Sequence, residues 1–237
     1  MNSKKVAIVT AASRGIGAGC AKELAARGYT VSLMARSDRV LDLARELDGI
    51  AIQGSISIFE DLERLVRVTL DKFGRIDAIV NSFGDPPRPD LLDIDDLMWN
   101  DNFEMLFLSV VRIARLVTEP MRQQGGGSIV NISACDSQEP ELGTPFSGTL
   151  RAAMEGFTKL YAKRYRADRI RMNSVAPFFV ADSMAELEGW DVPDDLMWGR
   201  PATHSELAKT VAFLLSDDAK FITGTTLKVD EARSAAI

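Results

Sequence analysis

The feature that most restricts the fold is an alternation repeated along the whole chain. Short β-rich apolar runs stand at Lys5 to Thr10, Thr30 to Met34, Ile50 to Gln53, Ile76 to Val80, Ser128 to Ile132, Ile170 to Val175 and Thr226 to Val229. Between them lie longer stretches with the 3.6-residue period of a helix, over Gly15 to Arg27, Arg39 to Leu47, Phe59 to Phe73, Asp95 to Met121, Phe146 to Tyr165 and Ser205 to Leu215. Strands that alternate with helices of crossover length read as repeated βαβ units. The expected architecture is α/β, a doubly wound parallel sheet of about seven strands with helices on both faces. With 237 residues, 46% of them hydrophobic, the chain can bury a full core as a single domain, 1–237. The irregular stretch Pro177 to Pro201 exceeds ordinary loop length. It reads as a substrate loop or lid in which Met184, Trp190, Met197 and Trp198 cover an apolar pocket, or else as a surface loop or oligomer contact.

Charge and residue usage exclude several functions. A formal charge of −6 argues against nucleic acid, whose partners carry a clustered basic face. No apolar run approaches the ~18 residues of a membrane span, and Val6 to Val9 is too short for a signal peptide. No membrane association and a cytoplasmic location are expected. Cys20 and Cys135 lie far apart, which suits a reducing compartment and offers no metal-ligand spacing. His204 is the sole histidine, so a zinc site or a Ser/His/Asp hydrolase lacks material, and no metal is expected.

The segment TAASRGIG, Thr10 to Gly17, follows the first strand and opens the first helix. Glycine there lets the backbone approach a pyrophosphate while the free N–H groups of the helix start point at the anion. The strand-turn-helix context is what makes so short a motif informative; the other reading is a tight turn with no ligand.

From this point the sequence resembles one family in particular. TAASRGIG resembles the TGxxxGxG turn of short-chain dehydrogenases, with Ala11 in place of the first glycine. NSFG at Asn81 to Gly84 is similar to the family's NNAG, and Asn102 falls where the family keeps a helix asparagine. GSIVNIS, Gly127 to Ser133, resembles the strand that leads to the catalytic serine. RAAMEGFTK, Arg151 to Lys159, is similar to the KAALEGFTK that follows the catalytic tyrosine. RMNSVAPFFVAD, Arg171 to Asp182, resembles RVNSVAPGFVAT, and FITGTTLKVD, Phe221 to Asp230, is similar to FITGxxLxVDGG. The matches keep their order and spacing over nearly the whole chain. They imply a Rossmann-like oxidoreductase that holds a nicotinamide cofactor through Ala11, Ser13, Arg14, Gly15, Ile16, Gly17, Arg36, Ser55, Ile56, Asn81, Ser82, Phe83, Arg151 and Pro177, and a homodimer or homotetramer built on the long helices near Asp95 to Met121 and Phe146 to Tyr165.

The same resemblance exposes departures. The family pairs a tyrosine with a lysine four residues later; here those positions hold Ser147 and Arg151. The family serine, thirteen residues before the tyrosine, lands on Ala134, with Ser133 adjacent but turned to the other face by strand alternation. Ser55, Phe178 and Asp182 replace the usual aspartate, glycine and threonine. A serine hydroxyl without a base cannot stand in for a phenol as general acid. Asn102, Ser133, Ser147 and Arg151 are the candidate catalytic residues, and the loop carboxylates Asp85, Asp136 and Asp182 are candidate acids or bases, or simply helix caps. Arg151 suits binding of ribose hydroxyls, or clamping of a carboxylate or phosphate, or a salt bridge to Asp136, Glu139 or Glu141. Cys135 reads as an apolar filler, and His204 as a solvated loop residue.

After the second strand the sequence runs MARS, Met34 to Ser37, with Ala35 where an acid would bind the ribose 2′-hydroxyl of NAD. Arg36 and Arg14 instead offer two guanidinium groups to a 2′-phosphate, which favours NADP(H), unless both are surface residues kept from an ancestor that bound the cofactor. Two functions follow: an NADP(H)-dependent oxidoreductase of a small carbonyl, alcohol or unsaturated substrate through an atypical site, or a protein of the same fold without redox chemistry, whether a lyase or isomerase using the pocket aspartates or a non-catalytic nucleotide-binding partner.

Overall fold

The computed structural model describes residues 4–182, 186, 188 and 192–235. Seven strands, β1 (Val6–Val9), β2 (Thr30–Ala35), β3 (Ile50–Gln53), β4 (Ala78–Asn81), β5 (Gly127–Ile132), β6 (Ile170–Pro177) and β7 (Thr226–Val229), form one sheet in the order β3-β2-β1-β4-β5-β6-β7. Every neighbouring pair is parallel. The central strands β1 and β4 are buried at every position, as strands covered on both faces must be. This is the doubly wound Rossmann-like sheet, and its direction of winding reverses between β1 and β4, where such folds open a crevice at the carboxyl ends of the strands.

Two helical layers bury the faces. Helices α1 (Gly15–Ala26), α2 (Arg39–Glu46) and α7 (His204–Leu215) cover one, with Leu24, Val31, Leu33, Val80 and Val211 in the core between them. On the other face α3 (Phe59–Phe73), α5 (Ser109–Gln123) and α6 (Pro145–Tyr165) pack over Ile8, Met34, Leu65, Ile79 and Ile129. Ile8 and Val9, neighbours on β1, belong to opposite cores, which is the two-residue alternation of a strand.

The stretch Asp95 to Met121, expected as one helix, divides into α4 (Asp96–Phe103), a π-helical turn at Glu104–Leu108, and α5. Arg112 pairs with Glu104 and donates to the Ser57 carbonyl at 2.9 Å, so one guanidinium ties the turn to the loop before α3. Of the expected lid, Met184 and Trp190 lie outside the described residues, while Met197 and Trp198 are exposed. Within the described residues no helix is long and apolar enough to cross a membrane.

Candidate functional site

The glycine turn is held from two directions. Thr10, at the end of β1, donates its hydroxyl to the Ser82 carbonyl at 2.8 Å, and the Ser82 N–H returns a bond to the same oxygen at 3.0 Å. The Ala12 N–H reaches the Met34 carbonyl on β2 at 3.0 Å. Ala11 takes a left-handed φ of 47°, a conformation the family's glycine adopts without strain. Gly17 must stay bare, because a Cβ there would lie 2.4 Å from the Ala11 carbonyl oxygen.

Helix α1 starts at Gly15 without a side-chain cap and without an acidic residue in its first turn. By contrast, α7 carries a complete capping box between Thr203 and Glu206. The unfilled N–H groups of α1 suit an anion, so Ser13 to Gly17 fit the pyrophosphate of a dinucleotide. Arg14 and Arg36 are exposed. Arg36 Nη2 reaches over Gly84, where a Cβ would meet it at 3.8 Å, so this guanidinium lies across the carboxyl ends of β2 and β4. Ala35 is buried and brings no carboxylate. Ser55 and Ile56 are half-buried after β3, and Asp61 accepts from the Ser55 N–H at 2.9 Å, so Asp61 orders that loop.

The amide nitrogen of Asn81 is tied into the sheet. Its Nδ2 donates to Asn131 Oδ1 at 2.7 Å, Asn131 Nδ2 donates to Thr158 Oγ1 at 2.9 Å, and Thr158 meets Ser174 at 3.2 Å. This buried polar chain locks β4, β5, α6 and β6 together, and its members are satisfied by one another. Asn102, on α4, is 5% exposed and donates to the Met98 carbonyl at 2.9 Å, immediately before the π turn.

Ser147 and Arg151 lie one helical turn apart on α6, both buried. No ionisable group among the described residues hydrogen-bonds to Ser147. Arg151 Nη1 donates to the carbonyls of Ile132 and Ser133 at 2.5 and 3.0 Å, and its guanidinium stands 5.5 Å from the Phe83 ring centroid. The salt bridge considered for it is not formed: Asp136, Asp85 and Glu155 act on it through space without a hydrogen bond. Burial pulls its pKa down to about 10, against the raising effect of those three carboxylates.

Ser133 is engaged elsewhere. Its hydroxyl donates to Glu155 Oε1 at 2.5 Å, and Ser137 and Gln138 bond to the same carboxylate. Glu155 was not singled out in the sequence, although its place eight residues after Ser147 puts it on the same helix face.

Asp182, a candidate acid or base or else a helix cap, accepts the N–H that opens α7. The His204 N–H donates to its Oδ1 at 3.0 Å and His204 Nδ1 lies 3.0 Å from its Oδ2, which hold its carboxyl below the ordinary range. His204 corrects the reading as a solvated loop residue: it opens α7, its side chain is 12% exposed, and Nε2 lies 3.5 Å from Glu186. The imidazole thus sits between two carboxylates beside Gly15 and Gly19, in a cleft of about 360 Å³ between α1 and α7. A second cavity of about 200 Å³ is lined by Cys135, Asp136, Glu139, Glu141, Phe178 and Arg233, among others. Pro177 is buried at the end of β6, and Phe178 packs edge to face on Phe179 and under Arg233. Cys135 donates its thiol to the Ala176 carbonyl at 3.4 Å, and burial pushes that thiol up to about 12, which fits an inert filler.

The family described as Enoyl-(Acyl carrier protein) reductase matches residues 10–231. Dehydrogenase/reductase SDR family member 4 of Caenorhabditis elegans is 32% identical over 238 residues, covering 93% of this chain and 91% of that protein. The chain belongs to the short-chain dehydrogenase/reductase family. Other members are similar over their whole length. A 3-oxoacyl-(acyl-carrier-protein) reductase of Synechocystis is 33% identical with 95% of each chain covered. The structure of L-sorbose reductase from Gluconobacter frateurii, complexed with NADPH and L-sorbose, superposes with a TM-score of 0.91 at 27% identity, over 99% of this chain and 98% of that one. Acetoin dehydrogenase from Enterobacter cloacae does so with a TM-score of 0.90 at 28% identity, over 100% and 98%. Short-chain dehydrogenases/reductases are oxidoreductases, and this chain has their sheet and their glycine turn in place.

Proposed function

We propose that this short-chain dehydrogenase/reductase is an NADP(H)-dependent oxidoreductase of a small carbonyl, alcohol or unsaturated substrate, working through an altered site. The observation that carries the reading is the pairing of an uncapped, acid-free α1 start with Arg36 lying across the ends of β2 and β4 and no carboxylate at Ala35. Ser13 to Gly17 would hold the pyrophosphate, Arg14 and Arg36 the 2′-phosphate, and the backbone around Ser82, Phe83 and Pro177 the reactive end. When bound, the cofactor supplies the hydride.

The chain's own residues would orient more than they donate. Ser147 has no base beside it, and Arg151 keeps its proton at neutral pH. Asn102 is fixed on α4, and Ser133 faces Glu155. Asp182, ionised and held by His204, is an acceptor, which leaves Asp136, Asp85, water or the substrate to provide a proton. Alignment of donor and acceptor would then carry most of the rate. The working form is a cytoplasmic homo-oligomer that buries Leu97, Phe103 and Leu160, all exposed on α4 and α6.

Fluorescence titration with NADPH and NADH, followed by NADPH oxidation over a panel of ketones, aldehydes and enones, tests this. Tighter NADPH binding with substrate-dependent oxidation supports it. NADPH binding with no oxidation by any substrate favours the non-redox, nucleotide-binding reading. No binding of either cofactor overturns both.

A further inference from the structure

The guanidinium of Arg151 is an unfinished ion pair. The residue is 8% exposed, yet Nη1 makes both of the hydrogen bonds that the group has among the described residues. Nε is buried with no partner. A guanidinium carries five N–H donors in a fixed fork, and the edge formed by Nε and Nη2 presents two of them in parallel. A buried charge that finds no counter-charge is costly to keep, and arginine does not escape the cost by losing its proton.

The neighbouring acids do not fill the role. Glu155 is taken by Ser133, Ser137 and Gln138. Asp85 is exposed, and Asp136 reaches Arg151 only through space. The group stands between the carboxyl ends of β4 and β5, with Phe83 on one side and Ser147 one turn away on α6, so it lies within the candidate site.

We infer that Arg151 receives the carboxylate of an acidic substrate through its Nε and Nη2 edge, which narrows the substrates from carbonyl compounds in general to short oxo acids, hydroxy acids or unsaturated acids. This rests on the oxidoreductase reading for the chemistry, but not for the binding. Pairing with the anion requires the guanidinium or the Phe83 ring to shift, because Nε is now covered. No covalent step is involved.

The test is equilibrium binding to the full chain by calorimetry, with acetate, acetoacetate and crotonate each set against its neutral methyl ester, with and without NADPH. The acids are expected to bind at least tenfold more tightly than their esters, as loss of a charge-assisted bidentate contact implies. Arg151→Met is expected to erase the preference, and Arg151→Lys to keep part of it. Acids and esters that bind alike, or a preference that survives Arg151→Met, would overturn the proposal. If Arg151→Met does not fold, Arg151→Lys decides, and an acid preference that it leaves undiminished would overturn the proposal. Binding of the acids without any binding of NADPH would leave the anion site standing and remove the oxidoreductase reading, whereas NADPH binding without acid preference would do the opposite.

Discussion

Asp182 grips His204 twice, taking the N–H that opens α7 at 3.0 Å and standing 3.0 Å from the imidazole Nδ1. The segment after β6 is thereby fastened to the helix that packs on α1. Because the backbone N–H and then the side chain of His204 depress the Asp182 pKa, this contribution is fully present above the unfolded carboxylate value, about 3.9, and is lost as pH falls through the lower folded value. Asp182→Ala is expected to lower Tm at pH 7 by roughly 2–4 °C or less, the scale of an exposed pair. Thermal melts at stepped pH should show a gap between the two proteins at pH 7 that narrows only as the pH falls below about 3.9; equal Tm values at pH 7, or a gap that widens below about 3.9, would refute the assignment.

Ala11 and Gly17 predict opposite outcomes in the same turn. A left-handed alanine costs about 1–2 kcal/mol, and glycine gives back about 0.4–1 kcal/mol through its freer unfolded chain. Ala11→Gly should therefore raise Tm, by roughly 1–4 °C. Gly17→Ala should lose about 1–3 kcal/mol, since the new methyl meets the Ala11 carbonyl oxygen. Calorimetric melts of the two variants check both signs.

Cofactor choice should respond to the end of β2. Arg36→Ala is expected to weaken NADPH by roughly tenfold or more while leaving NADH nearly unchanged, as removal of a charged hydrogen-bond donor implies. Ala35→Asp should act in the same direction by repulsion. Equal losses for the two cofactors in a fluorescence titration would mean that Arg36 does not meet a 2′-phosphate.

Restoring the family residues should restore proton transfer. Ala134→Ser, Ser147→Tyr and Arg151→Lys together are expected to raise ketone reduction above wild type, toward the roughly 10²- to 10⁴-fold that a positioned acid provides. Tyrosine without lysine keeps a pKa near ~10, so the single changes should do little. Steady-state NADPH oxidation measures the gain. A triple variant that binds NADPH but stays inactive would shift attention to Phe178, whose ring packs against Phe179 and Arg233.

Both thiols should be silent in the native protein. Burial pushes Cys20 and Cys135 up to about 12, so the thiolate fraction near pH 8 is small for each. Iodoacetamide labelling followed by mass spectrometry should be slow until denaturant is added. Rapid native labelling of Cys135 would show that its loop opens.

The strands and most helices were legible because their signal is periodic and local: every strand run coincides with an observed strand to within a few residues, and the glycine turn stands where its motif placed it. What the sequence hid depends on partners far away in the chain. Nothing near Ser133 announces Glu155, and nothing near His204 announces Asp182, twenty-two residues earlier. Arg151 was legible as a substitution, but its half-satisfied state arises from the carbonyls at the end of β5 and could be seen only in three dimensions. The bond from Asn81 Nδ2 to Asn131, fifty residues on, is equally invisible in the motif that contains Asn81.

The π turn at Glu104–Leu108 amounts to one residue inserted into an otherwise continuous helix. Each residue of an α-helix advances the facing direction by about 100°. Removing one residue from this turn would let α4 and α5 fuse in a single register, and Asn102 would swing by about that angle relative to Arg112 and the sheet beneath. The orientation of Asn102 is therefore encoded in a count of residues beyond it, and a shortened helix could keep every side chain of the site yet aim one of them at the wrong wall.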